Sequence, residues 1–184
     1  MPQNFKTNMR YGNCEIKIQL DDITKLAAGA IVHVSSGKLS AGTGVNGVLH
    51  KAAGPEFDRA CMRLGGCKIG EVKITYGYNL PAKFVIHTVC PMYGQMDGME
   101  ASYLEDCYKN ILAVANEHSI ASIAFPTMGT GAYGFPAEES APIAMESIKE
   151  YLEGNIKTFI RSIIFVCHSK EDLAIYQTAA EEIF

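Results

Sequence analysis

The chain has 184 residues, 48% of them hydrophobic, and a formal net charge of −4. That length suits one domain with a sizeable core. The mild acidity, with basic and acidic residues mixed, argues against binding of DNA or RNA by the domain as a whole. No apolar run approaches the length of a membrane-crossing helix, and the polar start MPQNFKTNMR resembles neither a signal peptide nor an anchor. Residues 1–13 read as a flexible segment and 14–184 as a single domain.

In chain order, Cys14 to Leu20 (CEIKIQL) alternates and predicts a strand with one solvated face. Ala30 to Val34 (AIVHV) predicts a short buried strand. A loop of small residues follows, Ser35 to Gly44, and then helical spacing over Val45 to Ala53, with Val45, Val48, Leu49 and Ala52 on one face. Pro55 to Leu64 predicts a helix with proline in its first turn, where a missing N–H costs little. Glu71 to Tyr78 and Phe84 to Val89 predict two strands joined across residues 79–83. Glu100 to Glu117 is helical, with Tyr103, Leu104, Cys107, Ile111, Val114 and Ala115 as its inward stripe. Ser122 to Pro126 is a strand, Pro136 to Leu152 a helix burying Ala141, Ala144, Met145, Ile148 and Leu152, Arg161 to Cys167 a strand and Lys170 to Ile183 a helix. Strands alternating with helices imply an α/β domain whose sheet is covered on both faces.

The six cysteines, Cys14, Cys61, Cys67, Cys90, Cys107 and Cys167, form no C-x-x-C pair. They read as free thiols of a reducing compartment rather than a disulfide framework or zinc site.

The stretch Ser122 to Pro136 (SIAFPTMGTGAYGFP) carries the most chemistry. A strand feeds a loop with Gly129, Gly131 and Gly134, and a helix follows. Unpaired N–H groups at a helix start, beside the positive end of its dipole, suit a phosphate; the plainer alternative is a turn that simply needs its glycines. The loop after Ala30 to Val34 repeats the arrangement. Ligands of such sheets collect at the carboxyl ends of strands, so two amide-rich loops there could clamp a diphosphate. Lys38 is the lone cation in either loop, and neither has the Lys-Ser/Thr ending of a nucleotide-hydrolysing phosphate loop.

Other residues leave two readings open. Asp22 is a turn cap or a carboxylate for an exocyclic amine. Tyr133 covers a pocket or anchors its loop. His168 stacks on a base or begins a turn. His33 and His87, mid-strand among apolar residues, read as satisfied buried histidines, and His50 as a solvent-facing one. No Ser–His–Asp or Cys–His grouping can be assembled from the chain order.

From Cys14 to Ile183 the chain resembles the macro domain, an ADP-ribose-binding module. The resemblance rests on Asp22-Ile23, Ala30 to Val34 with its glycine loop, LPAKFVIHT at Leu80 to Thr88, and Ser122 to Pro136. It implies a three-layer α/β/α fold around a mixed sheet. It also implies an ADP-ribose pocket: Asp22 and Ile23 at the adenine, and Ser36, Gly42, Thr43, Gly44, Val45, Asn46 and Gly47 on one side. Gly129, Thr130, Gly131, Ala132 and Tyr133 would form the other side, with His168 near the base. No metal and no cofactor beyond that ligand is implied.

Two branches compete. MacroD-type hydrolases, which remove ADP-ribose from proteins and deacetylate O-acetyl-ADP-ribose, carry an Asn and an Asp where this chain has Ser36 and Asn46. Asn46 cannot ionise and so cannot act as a general base. The macro-histone, a histone variant, matches in Ala30-Ile31-Val32-His33, with His where hydrolases have Asn. The expectation is therefore a macro-histone-like, non-catalytic reader of ADP-ribose or poly-ADP-ribose ends, with a MacroD-type hydrolase as the alternative. Its expected partners are ADP-ribosylated proteins such as poly-ADP-ribose polymerase, and chromatin through a missing histone fold. It would be nuclear and monomeric, without nucleic-acid or membrane contacts of its own.

Overall fold

The computed structural model describes residues 6–184. Its strands are β1 (Lys6–Tyr11), β2 (Cys14–Leu20), β3 (Ala30–Val34), β4 (Val72–Tyr76), β5 (Phe84–Thr88), β6 (Ser122–Pro126) and β7 (Ser162–Cys167). They form one seven-stranded sheet in the order β1-β2-β7-β6-β3-β5-β4. The inner five run parallel, and β1 and β4 close the two edges antiparallel.

The helices are α1 (Gly44–Ala53), α2 (Pro55–Arg63), α3 (Glu100–Glu117), α4 (Ala137–Gly154) and α5 (Lys170–Ile183). Alternation along the strands sends neighbouring side chains to opposite faces. Ala30 and Val32 of β3 thus join the core under α3, α4 and α5, together with Ile123, Phe125, Ile163 and Phe165. Ile31 joins the smaller core under α1 and α2, with Val85, Ala124, Val166 and Phe57. Both faces being covered, the inner strands read as nearly continuous apolar runs. The three-layer α/β/α arrangement around a mixed sheet is the one expected.

Three expectations are corrected. Lys6–Tyr11 is an ordered edge strand, because KTNMRY pairs residue for residue with β2; residues 1–5 of the segment expected to be flexible lie outside the described residues. The buried side of α1 is Leu49, His50 and Ala53, whereas Val48 is 54% exposed. His50 is therefore interior: its Nδ1 lies 2.6 Å from Asp58 Oδ1 and its ring packs edge-on against Phe57. Finally, α3 buries Tyr108 and Leu112, while Tyr103 and Val114 are only half-buried. Tyr108 fits there because Phe125 offers it an aromatic neighbour 5.3 Å away.

Candidate functional site

The carboxyl ends of β3, β5, β6 and β7 open onto a cleft of roughly 690 Å³. One wall comes from the segment after β3 and the start of α1: Val34, Ser35, Ser36, Gly42, Thr43, Gly44, Val45 and Asn46. The facing wall follows β6, from Pro126 to Tyr133, and Met92, His168 and Asp172 complete the lining. Parallel strands all point their carboxyl ends one way, so the two Gly-rich loops face each other across this opening.

Local sequence explains both walls. The first turn of α1 has no side-chain cap, as Thr43 at its N-cap makes no such bond. The N–H groups of that turn and the positive end of the helix dipole are thus left to the cleft. In the second loop Gly129 holds φ +83°, and a Cβ there would come within 3.0 Å of the Phe135 ring. The Phe135 N–H in turn donates to the Gly129 carbonyl at 2.9 Å, closing the loop on itself. Among the described residues no lysine or arginine lines the cleft, so backbone amides are the groups there that can meet an anion.

Tyr133 ties the walls together: its hydroxyl donates to the Ser35 carbonyl at 2.6 Å. Burial pushes that phenol up to about 12, so it stays a donor. Tyr133 is both a loop anchor and part of the lining, so its two readings merge.

Asp22, Ile23 and Gly47 are not brought into the cleft wall. Asp22 caps the short 3-10 turn Ile23–Lys25, its Oδ1 accepting from Thr24 N–H at 3.0 Å and from the Thr24 hydroxyl at 2.7 Å. The hydroxyl bond, above all, holds its carboxyl below the usual range. Ile23 buries its side chain in the smaller core. Gly47 serves packing, since a Cβ on it would lie 2.3 Å from the Gly42 carbonyl oxygen. Thr127 and Met128 line the cleft as part of the marked stretch though they were not singled out in it, whereas Met92 and Asp172 come from segments that only the fold carries to this edge.

Behind Asn46 lies a buried polar cluster. His33 Nε2 is 2.5 Å from Asn46 Oδ1, His33 Nδ1 is 2.9 Å from His87 Nδ1, and His87 Nε2 is 2.8 Å from Thr75 Oγ1. Both rings are satisfied interior histidines, as their setting in the strands implied. Burial lowers His33 to about 4 and His87 well below its ordinary value, so both are neutral. The six thiols are free and buried, and burial raises those of Cys14, Cys61, Cys67 and Cys167.

Comparison with known proteins accounts for this arrangement. The family model described as Macro domain matches residues 32–144. A macro domain-containing protein of Ralstonia nicotianae is 46% identical over 163 residues, covering 88% of this chain and 91% of its own. Human ADP-ribose glycohydrolase MACROD2 is 43% identical over 171 residues, 92% of this chain; the match spans 40% of the human protein. Among solved structures, an Oceanobacillus iheyensis macrodomain with ADP superposes with a TM-score of 0.92 at 34% identity, covering 96% of this chain and 95% of that one. A Trypanosoma brucei macrodomain in complex with ADP-ribose superposes with a TM-score of 0.82 at 32% identity, covering 89% and 68%.

These relatives correct two expectations. They include bacterial macro domain proteins and glycohydrolases, and nothing among them links the chain to a histone, to chromatin or to a nucleosome. The expectation of a non-catalytic module is overturned by proteins 43% and 40% identical over nearly the whole chain that are named ADP-ribose glycohydrolases. The physical flaw in that expectation lay in equating the loss of an ionisable side chain with the loss of chemistry. Ser36 and Asn46 keep a hydroxyl and an amide in the cleft wall, groups that form hydrogen bonds without having to ionise.

Proposed function

The chain belongs to the macro domain family, and on that premise we propose that its cleft binds ADP-ribose and hydrolyses the bond joining ADP-ribose to a modified protein. The observation that carries the reading is the pair of amide-rich loops, Gly42 to Asn46 and Gly129 to Tyr133, facing each other across one cleft without a cationic side chain. A diphosphate fits between them, its charge met by N–H groups and by the start of α1.

His168 and Asp172 mark the end of the cleft nearest Asp22, because β2 and β7 pair with Leu20 opposite Cys167. The adenine is assigned to that end, and the distal ribose to the end walled by Ser36, Asn46 and Tyr133. In the reaction a water oxygen bonds to the anomeric carbon of the distal ribose as that carbon's bond to the modified side chain breaks, the side-chain atom leaving with the electron pair. Ser36 orients the water, and Asn46 donates to the ligand. Neither can take the water's proton, which passes to a phosphate oxygen of the bound ligand and then to solvent. The relatives named as glycohydrolases support the hydrolytic half of this reading.

The test is calorimetric titration with ADP-ribose beside ADP, followed by incubation with a mono-ADP-ribosylated protein and measurement of released ADP-ribose. Binding with catalytic release is the expected result. Binding without release would leave a pocket and remove the hydrolysis. Absence of binding would remove both.

A further inference from the structure

On the face of the sheet covered by α1 and α2, four polar side chains form an unbroken row that ends in the cleft. His33 on β3 stands opposite His87 on β5 in the parallel register, and the two are 1% and 0% exposed. One bond sets the direction of the whole row. The Asn46 side-chain nitrogen lies 3.1 Å from the Ser40 carbonyl oxygen. A carbonyl only accepts, so Asn46 Nδ2 donates there and its Oδ1 is turned toward His33. An amide oxygen also only accepts, so His33 Nε2 carries the hydrogen. A neutral imidazole has one N–H, which leaves His33 Nδ1 bare and obliges His87 Nδ1 to donate to it. His87 Nε2 is then bare, and the Thr75 hydroxyl donates to it.

We propose that Thr75, His87 and His33 are positioning residues for Asn46, locking its amide oxygen into the protein and presenting its nitrogen as a hydrogen-bond donor to an acceptor oxygen of the ligand. Ser40 takes one of the two Nδ2 hydrogens, and the other is left for the cleft. Gly42 completes the arrangement, since a Cβ on it would press within 2.8 Å of that nitrogen. The neutrality of both rings follows from their burial; a protonated His33 would donate from both nitrogens and reverse its partner. An acceptor oxygen is what a phosphate and a ribose hydroxyl have in common. The inference rests on the ADP-ribose reading only for the identity of that acceptor.

Two measurements test it. Long-range proton–nitrogen spectra of the labelled, ligand-free protein report which ring nitrogens carry hydrogen. The expected pattern is protonated His33 Nε2 and His87 Nδ1, with His33 Nδ1 and His87 Nε2 bare; the reverse pattern overturns the proposal whether or not the protein hydrolyses anything. In binding, His33→Phe strands the Asn46 oxygen and is expected to weaken ADP-ribose about tenfold. His33→Gln, whose amide can donate to the same oxygen, is expected to recover to within about threefold of the wild type. Should His33→Phe not fold, Thr75→Val removes only the far donor: His87 Nδ1 is expected to stay protonated because the Asn46 end sets the direction, and a shift of that hydrogen to Nε2 overturns the proposal. Weakening for both ADP and ADP-ribose identifies a phosphate oxygen as the acceptor; weakening for ADP-ribose alone identifies the distal ribose. Folded His33→Phe protein that binds both ligands like the wild type overturns the role. Wild-type protein that shows the expected tautomers but releases no ADP-ribose defeats the hydrolytic reading and leaves this one standing.

Discussion

Asp22 caps its turn, and whether it also meets the adenine is decided by two substitutions rather than one. Its carboxylate already accepts from the Thr24 N–H and hydroxyl, and it stands at the sheet edge beside the end of β7. Asp22→Ala is expected to cost about 1 kcal/mol of stability through the lost cap and to weaken ADP-ribose binding. Asp22→Asn keeps an acceptor for Thr24 but turns an NH₂ toward the ligand's amine, where donor meets donor. Calorimetry on the pair decides the matter: weak binding by both assigns Asp22 to the adenine, and wild-type binding by Asp22→Asn leaves it a cap alone.

At the scale of the element, α1 brings Gly44, Val45 and Asn46 to the cleft, and its contact with the preceding loop depends on a glycine. With only 2.3 Å between a Cβ on Gly47 and the Gly42 carbonyl, Gly47→Ala must push the loop off the helix. The expected cost is about 1–3 kcal/mol in a denaturant melt, with a clear loss of ADP-ribose affinity. Gly154→Ala, at the end of α4 with nothing within 4 Å of the added carbon, serves as control and should leave both unchanged or slightly raise stability. The extent and type of α1 were legible from Val45 to Ala53, but its buried side was not. Hydrophobicity placed Val48 inward and His50 outward. The opposite holds because Asp58 and Phe57, on the next helix, give the imidazole a hydrogen-bonding and an aromatic partner, and those partners meet it only after folding.

For the molecule as a whole, two neutral interior histidines make stability depend on pH. In the unfolded chain a histidine titrates near 6.5, whereas burial lowers folded His33 to about 4 and His87 well below its ordinary value. Between those limits the unfolded chain binds more protons, so acid favours unfolding. The contribution is intact above about pH 6.5 and is lost as pH falls toward 4. For His33 alone the gap between 6.5 and about 4 corresponds to about 3 kcal/mol. Urea melts at pH 7 and pH 4.5 should therefore differ sharply for the wild type and distinctly less for His33→Phe. Equal slopes in the two proteins would mean that His33 is not the neutral group described above.

The sequence by itself determined the α/β layering, the place of nearly every strand and helix, and the two glycine loops. Each of these is written in local periodicity and in residues with special backbone freedom, which need no distant partner to be read. Membership of the macro domain family was equally legible, because its landmarks are short runs such as LPAKFVIHT. Only the tertiary structure decided that KTNMRY is an edge strand, that His50 is interior, and that Met92 and Asp172 stand in the cleft wall beside the expected loops. It alone aligned Thr75, His87, His33 and Asn46, which lie up to 54 residues apart in the chain and come from three strands and a helix. The direction of a hydrogen-bond row is a property of partners brought together across the sheet, and chain order does not carry it.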